Sequence, residues 1–263
     1  MRPVERVVAE VERLVRGKTR CCDRVIFFVD DNIVAVPRFA KELFRALIPL
    51  DISWVSQGTI HTFTSDDELL SLAAASGCLC LFIGLETVST ENLKSINKSF
   101  AKGHLYAENL AKIHRHGIGV LGSFIFGLEH DDERVFQRTV EFAQANAIEA
   151  ANFSILTPYP GTRLAKRYEA AGKILSRDWS QYHALTDRVL IDHERLSADL
   201  LLRGTAWSWI RYYSMRAILG RLWKTPRTML KNAVVVHSYR KRALALRRAG
   251  YGPDCLHLPA AAG

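Results

Sequence analysis

Residues 118–131, with the sequence IGVLGSFIFGLEHD, contain the pattern that decides the fold of this 263-residue chain. The apolar run includes Gly122 and Gly127 and leads into an acidic turn, after which residues 132–146 show helical spacing of apolar side chains. A short apolar run, such as RVIFFVDDN at residues 24–32, is typical of a strand buried on both faces, as the strands of a parallel sheet are. The two glycines permit close packing or a bulge at this strand.

Four further apolar runs alternate with helical patterns along the chain. They are RVIFFVDDN (24–32), DISWVSQGTI (51–60), CLCLFIGLET (78–87) and ANFSILTPYPGTRL (151–164). Helical spacing occurs between them, over residues 3–17, from Pro37, after Ser65, near 89–96, near 105–116 and up to Gly172. Ser65 and Glu68 form a capping-box pattern before one of these helices. Strict alternation of helix and strand predicts a parallel sheet with right-handed crossovers.

Polar side chains follow the predicted strands at their carboxyl ends. They are Asp30, Asp31 and Asn32, then Gln57, Glu86 and Glu129. A barrel brings the ends of all its strands together on one face, whereas a doubly wound sheet offers mainly its switch point. The pattern therefore favours a barrel-like array. Taken alone, each residue could also be a solvated turn residue or a helix cap.

The net charge of +9 is concentrated at the carboxyl-terminal end. From residue 201 onward there are 12 Lys and Arg residues against Asp254 alone, while residues 1–200 hold the remaining 24 basic and 26 acidic residues. We therefore predict a main domain over 1–175 and a helical, basic extension over 176–263. A solvated helical face is the default interpretation of the extension, and nucleic-acid binding is the least favoured because no recognition module accompanies it. Contact with anionic lipid or a lipid-like substrate is the remaining alternative, given the aromatic residues Trp207, Trp209, Tyr212, Tyr213 and Trp223.

The five cysteines are an odd number in a chain without a secretion signal, which predicts reduced thiols and a cytoplasmic protein. No apolar run reaches the length that spans a bilayer. Cys78 and Cys80 alternate along a predicted strand and are expected on one face. A zinc site shared with Cys21 and Cys22 is less favoured than burial of small thiols, and the nine histidines form no metal-ligand pattern.

Five motifs, in order and at matching spacing, resemble the radical S-adenosylmethionine (SAM) enzymes, in the branch that carries an upstream cobalamin-binding domain. They are FVDDN, WVSQ, IGLET with NKSF shortly after, GSFIFGLEHDDERVF, and ILTPYPGT followed by DW and Y. The resemblance covers about residues 3–215. It implies a partial (β/α)6 TIM-like barrel that holds SAM against a 4Fe-4S cluster, here without its first strand because the chain opens on a helix.

The resemblance also implies which residues contact SAM. Asp30, Asp31 and Asn32 match the second-strand motif that meets the methionine amino group, and Gln57 either lines the barrel mouth beside SAM or satisfies backbone groups. Glu86 ends the family's fourth strand, where the ribose or carboxylate is contacted. Ser123, Ile125 and Gly127 align with the fifth-strand motif G-x-I-x-G-x-x-E beside the adenine. Ser123 replaces its first glycine, His130 occupies its last position, and Glu129 lies one residue early.

One departure from the family pattern is decisive for activity. The C-x-x-x-C-x-x-C loop that binds the cluster does not occur here, although three neighbouring thiolates are needed for it. We expect the first strand, the cluster loop and any cobalamin domain to lie upstream or on a partner chain. The predicted function is thus the SAM-binding portion of a radical enzyme that methylates or rearranges an unknown small or lipid-like substrate, inactive alone and with no catalytic residue assigned. The alternative is a non-catalytic remnant or subunit that binds a ligand or partner at the same rim.

Overall fold

Five strands form the sheet of this protein, which we describe from a computed structural model over residues 2–96, 105–183, 188–252 and 255–256. The strands are β1 Val25–Phe27, β2 Ser53–Gln57, β3 Cys78–Glu86, β4 Gly119–Phe126 and β5 Ala150–Ile155. All neighbours pair in parallel, in the order β1-β2-β3-β4-β5. Sheet order therefore follows chain order, and the sheet curls into half a barrel. The predicted α/β fold with a partial TIM-like barrel is confirmed.

The helices lie between and after the strands. In the barrel region they are α1 Val4–Val15, α2 Pro37–Leu47, α3 Ile60–Thr64, α4 Asp67–Ala75, α5 Thr90–Ser95, α6 Tyr106–Arg115, α7 Val135–Ala145 and α8 Arg163–Ala170. The extension contributes α9 Ala198–Tyr212, α10 Met215–Lys224, α11 Pro226–Lys231 and α12 Ala233–Arg248. The NKSF motif at 97–100 lies outside the described residues.

The sheet has two differently packed faces. The helix-covered face carries large side chains such as Trp54, Leu81 and Phe124, which are fully buried with the apolar stripes of the surrounding helices. The concave face carries a smaller cluster that includes Leu121 and Ala150, against which α12 places Val235 and Tyr239. Because side chains alternate along a strand, the residues between those of the helix-covered core face the concave side.

The strand expected to be buried on both faces at 24–32 is instead a short edge strand, so that expectation is wrong. Only Val25–Phe27 pairs, and Val25, Phe27 and Val29 are exposed. Burial of a strand depends on its place in the sheet, and β1 has a neighbour on one side only among the described residues.

The helix that follows β2 begins differently from the predicted capping box. Asp66, not Ser65, is the N-cap of α4, and its side chain accepts a hydrogen bond from the Leu69 N–H at 3.0 Å. Ser65 ends the preceding short helix α3, which the sequence pattern did not predict, and its own N–H donates to the His61 carbonyl. An aspartate is as good a cap as a serine, so position relative to α3 decides between them.

A bulge in β3 separates the two cysteines that were expected on one face. The register passes from Trp54↔Cys78 directly to Val55↔Cys80, which leaves Leu79 without a partner. As a result Cys78 belongs to the helix-covered core and Cys80 to the cluster on the concave face. An extra residue in one strand shifts the alternation of side chains, which the local sequence does not reveal.

The extension covers the free edge of β5. The Tyr213 hydroxyl accepts from the Ala151 N–H and donates to the Ala151 carbonyl, both at 2.9 Å, and the Trp209 indole N–H donates to the Phe153 carbonyl at 2.9 Å. Tyr212, Tyr213 and Trp209 are thus buried, and these three aromatic residues are not available for the lipid contact that the sequence suggested. The division near residue 175 stays a prediction. No helix in the described ranges has the length and apolarity to cross a membrane.

Candidate functional site

The carboxyl-terminal half of the concave face carries a row of small and polar residues. Register aligns Gly84 of β3 with Ser123 of β4, and Ser123 with Asn152 of β5. The next row pairs Ile125 with Ser154. Two of the predicted site residues, Ser123 and Ile125, therefore lie on the same face of the sheet, with Asn152 and Ser154 beside them.

Asn152 is the unexpected member of this row. Its side chain is 8% exposed, its Nδ2 lies 3.5 Å from the Ser123 Oγ, and its Oδ1 has no hydrogen-bond partner. A buried amide oxygen without a donor is costly, so such an atom calls for a ligand or an ordered water. The sequence marked this position only weakly, by one asparagine inside a strand of otherwise small and apolar residues.

The turn after β4 is organised by a buried aspartate. Asp131 accepts hydrogen bonds from the Gly127 N–H at 2.9 Å and the Leu128 N–H at 3.0 Å, and from the Asn92 side chain at 2.7 Å. Asn92 in turn accepts from the His130 N–H at 2.9 Å. Gly127 has φ of +90°, a conformation that other residues rarely adopt. The predicted site residue Gly127 therefore occupies a rigid turn that closes the fifth-strand motif.

Burial raises the pKa of Asp131 to about 6, against the opposing effect of its backbone hydrogen bonds. The neighbouring Asp132 behaves differently. Although partial burial opposes it, hydrogen bonding to Arg138 lowers the pKa of Asp132. Of the two adjacent aspartates, therefore, only Asp131 combines deep burial with a structural role, and the sequence pattern did not distinguish them.

Glu129 lies away from the Ser123–Asn152 row. It is exposed, pairs with Arg167 at 3.3 Å, and lines a separate surface cavity of about 170 Å³ beside α8. The same cavity is lined by His193, whose Nδ1 accepts from the backbone N–H groups of Arg195 and Leu196. Its Nε2 therefore carries the proton that is donated to the Leu128 carbonyl at 2.9 Å. The extension thus supports the Gly127 turn from outside.

The residues after β1 divide into one anchored side chain and two exposed ones. The Asn32 amide donates to the Thr59 hydroxyl at 3.2 Å and accepts from the Thr59 N–H at 3.3 Å. Asp30 is exposed and accepts from the Asn32 N–H at 2.9 Å, and Asp31 is exposed. The N–H of residue 33 donates to the Gln57 carbonyl at 3.0 Å, so the ends of β1 and β2 are held together.

Glu86 occupies the end of β3 in an uncommon backbone conformation. Its φ is +63°, and the pairing passes from Gly84↔Ser123 to Glu86↔Phe124, which marks a second irregularity in this strand. Burial, with a contribution from the Glu86 charge, raises the pKa of Tyr106. A non-glycine residue in this conformation costs free energy, which surrounding contacts must offset, and such positions are frequent at functional sites. Gln57, by contrast, lines a cavity of about 320 Å³ between the concave face and Tyr239.

The described residues do not provide a cluster or metal site. Nowhere in the described ranges do three His, Cys, Asp or Glu side chains converge as metal ligands. Burial raises the pKa of both Cys78 and Cys80, so these thiols stay protonated, and they lie on opposite faces. The side chains of Cys21 and Cys22 lie outside the described residues. Cys78 and Cys80 therefore do not fit a 4Fe-4S cluster, which requires neighbouring thiolates.

Comparison with known proteins supplies the family. The model of the radical SAM superfamily matches residues 1–143. The bacteriochlorophyllide d C-12(1)-methyltransferase of Chlorobaculum tepidum is 32% identical over 218 residues, which are 83% of this chain and 46% of the relative. The chain thus spans about half the length of that curated relative.

Two solved structures share the fold. The radical SAM methyltransferase TsrM from Kitasatospora setae, with cobalamin and a [4Fe-4S] cluster bound, aligns with a TM-score of 0.56 at 19% identity, over 67% of this chain and 33% of that chain. The cobalamin-dependent radical SAM enzyme OxsB aligns with a TM-score of 0.56 at 15% identity, over 95% of this chain and 44% of that one. With the family match over more than half of its residues, and a curled parallel sheet of matching fold, this chain belongs to the radical SAM superfamily.

Proposed function

We propose that this chain forms the SAM-binding wall of an enzyme that methylates its substrate by radical chemistry. Membership of the superfamily implies SAM and a 4Fe-4S cluster as cofactors. The bacteriochlorophyllide relative is a methyltransferase, which supports methylation over rearrangement. The observation that carries the proposal is the unpartnered Oδ1 of Asn152, buried beside Ser123 in the row that the fifth-strand motif predicts for the adenine.

The hydrogen-bonding groups on and beside the concave face fit SAM. Asn152 Oδ1 offers a buried acceptor for an amine such as that of adenine, and the Ser123 hydroxyl lies beside it. Glu86 at the end of β3 offers an acceptor for the ribose hydroxyls. Asp30 and Asn32, at the end of β1, offer acceptors for the methionine ammonium. The apolar Ile125 and the Gly127 turn would cover the flat face of the base. When SAM and a reduced cluster are bound, they supply the one-electron chemistry that the family uses.

The cluster-binding thiolates would come from a segment outside these 263 residues or from a partner chain, and cobalamin from a further domain. The free edge of β1 supports this part of the proposal. A cavity of about 540 Å³ lies there between α1, β1 and α2, and the exposed side chains of Phe27 and Val29 line it. An additional parallel strand would pair with β1 and bury this apolar surface. In this proposal the substrate is a small or lipid-like molecule. The cavity of about 320 Å³ against Tyr239 is the space that we propose for it.

SAM binding can be tested apart from redox chemistry by titrating the purified chain with SAM in a calorimeter. We expect Asn152→Leu to weaken binding at least about tenfold, because it removes the buried acceptor and fills its space. Glu129→Gln is the matched control, since Glu129 pairs with Arg167 at a separate cavity, and it should bind SAM as the unmodified chain does. Equal affinities for all three proteins would refute the assignment of the Ser123–Asn152 row.

Cluster reconstitution separates the catalytic proposal from the alternative of a ligand-binding subunit. After anaerobic incubation of the 263-residue chain with iron and sulfide, we expect no brown protein and no reductive cleavage of SAM, because neighbouring thiolates are lacking. Adding a segment with a C-x-x-x-C-x-x-C loop should restore both. A cluster assembled by this chain alone would contradict the first expectation, and SAM binding that never supports cleavage in the joined protein would favour the non-catalytic alternative.

A further inference from the structure

The helix α10 exposes three large apolar side chains that are spaced one turn apart. Met215 is 52% exposed, Leu219 56% and Trp223 90%. Residues four apart lie on the same side of a helix, so the three form one stripe along α10. We name Met215, Leu219 and Trp223 the α10 stripe.

The α10 stripe does not hold the helix to the protein. Ile218 and Leu222 pack against the main core, and Arg221 is buried beneath the helix, where its Nη1 donates to the Tyr212 carbonyl at 2.9 Å. A tryptophan that is almost fully exposed next to two other apolar side chains is unusual on a surface with no partner. The contacts of the fold therefore leave the stripe unexplained.

A cationic cavity runs along one side of the stripe. It has a volume of about 450 Å³, and its charged lining residues are Arg211, Arg216, Arg221 and Lys224 against Glu141. In the ranges that the structure describes, no carboxylate lies within ion-pair distance of these four cations. Four cations and one carboxylate line the cavity, so it carries a clear excess of positive charge.

Arg221 is a buried charged residue in the lining of this cavity. The side chain is 1% exposed, its guanidinium lies 3.9 Å from the centre of the Tyr212 ring, and its Nε and Nη2 have no hydrogen-bond partner. A buried guanidinium with unpaired donors is unfavourable unless an anion compensates it. Ser214 caps the beginning of α10 and lines the same cavity, so the positive end of the helix dipole adds to the field there.

We propose that α10 lies on the surface of a membrane that contains anionic phospholipid. The α10 stripe would enter the boundary between head groups and acyl chains, and the adjacent cavity would receive phosphate oxygens of the head groups. Charge and apolarity together select this partner, because a nucleic acid offers phosphates but no surface for Met215 and Leu219. The inference concerns a face distinct from the concave SAM wall and does not depend on the proposed function.

Vesicle co-sedimentation of the whole 263-residue chain tests this proposal. We expect binding to phosphatidylcholine vesicles that contain about one-third phosphatidylglycerol, and much weaker binding to pure phosphatidylcholine. Leu219→Ser with Trp223→Ser should lower the partition coefficient at least about tenfold, and Arg216→Glu with Lys224→Glu should do so by a similar factor. Trp223→Phe should still bind but lose most of the blue shift in tryptophan emission.

Matched controls keep the result specific to α10. Leu175→Ser removes an apolar side chain that is 54% exposed elsewhere, and Arg13→Glu reverses an exposed charge on α1. Both should bind anionic vesicles like the unmodified chain, and circular dichroism should show that every variant is folded. The proposal is overturned if the chain ignores anionic vesicles, or if the α10 variants bind as well as the controls. It is also overturned if only inorganic phosphate stabilises the chain against heat, or if the stripe proves to mediate self-association instead.

Discussion

Replacing Asp131 with alanine should lower the free energy of unfolding by about 3 kcal/mol at pH 7 and loosen the turn after β4 that borders the proposed SAM site. The carboxylate accepts from two backbone N–H groups, of Gly127 and Leu128, and from the Asn92 side chain. Alanine leaves these three donors without an acceptor in a buried place, which outweighs the relief of removing a buried charge. Urea unfolding measures the loss, and SAM titration should show a weaker complex because Gly127 is no longer held.

The adjacent Asp132→Ala is the control for Asp131→Ala. Asp132 is half-exposed and pairs with Arg138, so we expect a loss below about 1 kcal/mol. The pH dependence adds a second check. Since the pKa of Asp131 rises from 3.8 to about 6 on folding, its stabilising contribution is complete below pH 3.8 and decreases as the pH rises through 6. The difference between the unmodified chain and Asp131→Ala should thus be about 1 kcal/mol larger at pH 5 than at pH 7. Equal losses for the two aspartates would contradict the role of Asp131.

The order of helices and strands could be predicted from sequence because its signals are local. Each strand is a short apolar run and most helices show periodic apolar positions, so the parallel sheet follows from their alternation, while the partial barrel was implied by the family resemblance. The beginning of α9 illustrates how reliable such signals are. Ser197 directly precedes this helix as its N-cap, and its hydroxyl accepts a hydrogen bond from the Leu200 N–H at 3.2 Å. A cap depends on residues three positions apart, which any reader of the sequence can see.

The parts that could not be predicted depend on residues far apart in the chain. Asn92 and Asp131 are 39 positions apart, and nothing local marks them as partners. Asn152 becomes notable only because register places it beside Ser123, and a register cannot be read from one strand. The exposure of β1 likewise depends on whether another strand pairs with its free edge, which lies outside the local sequence. The family motif therefore pointed to β4 from sequence alone, while the contacts that surround this strand required the structure.

Contacts between distant residues could likewise not be predicted at the amino-terminal end of the barrel, where Glu149 joins the extension to the sheet. This fully buried side chain accepts from the Val120 N–H at 2.7 Å through Oε2 and from the Thr228 hydroxyl through Oε1. His114 Nε2 lies 3.3 Å from Oε2. Nearby, the Asn232 side chain donates to the carbonyl of residue 79 at 3.2 Å. Helices α11 and α12 therefore close the amino-terminal end of the half-barrel, through contacts that link residues 79 and 153 positions apart.

Replacing Glu149 with alanine should lower the free energy of unfolding by about 3–5 kcal/mol, the largest single effect expected in this protein. The change leaves the Val120 N–H and the Thr228 hydroxyl without an acceptor and creates a cavity next to His114. Urea unfolding measures the loss. Hydrogen exchange should in addition become faster in α11 and the first turns of α12, because Glu149 provides one of their polar contacts with this end of the barrel, another being that of Asn232.

Two variants show whether the effect belongs to Glu149 and its partners. Glu141→Ala removes an exposed carboxylate on α7, which accepts from the Gln137 side chain, and should cost below about 1 kcal/mol. Thr228→Ala removes one partner only and should cost about 1–2 kcal/mol, with faster exchange confined to α11 and α12. If Glu149→Ala unfolds like Glu141→Ala, the extension is held by apolar packing alone. If it shows the expected loss, the basic extension is an integral part of the barrel, and its exposed α10 stripe is presented on a rigid base.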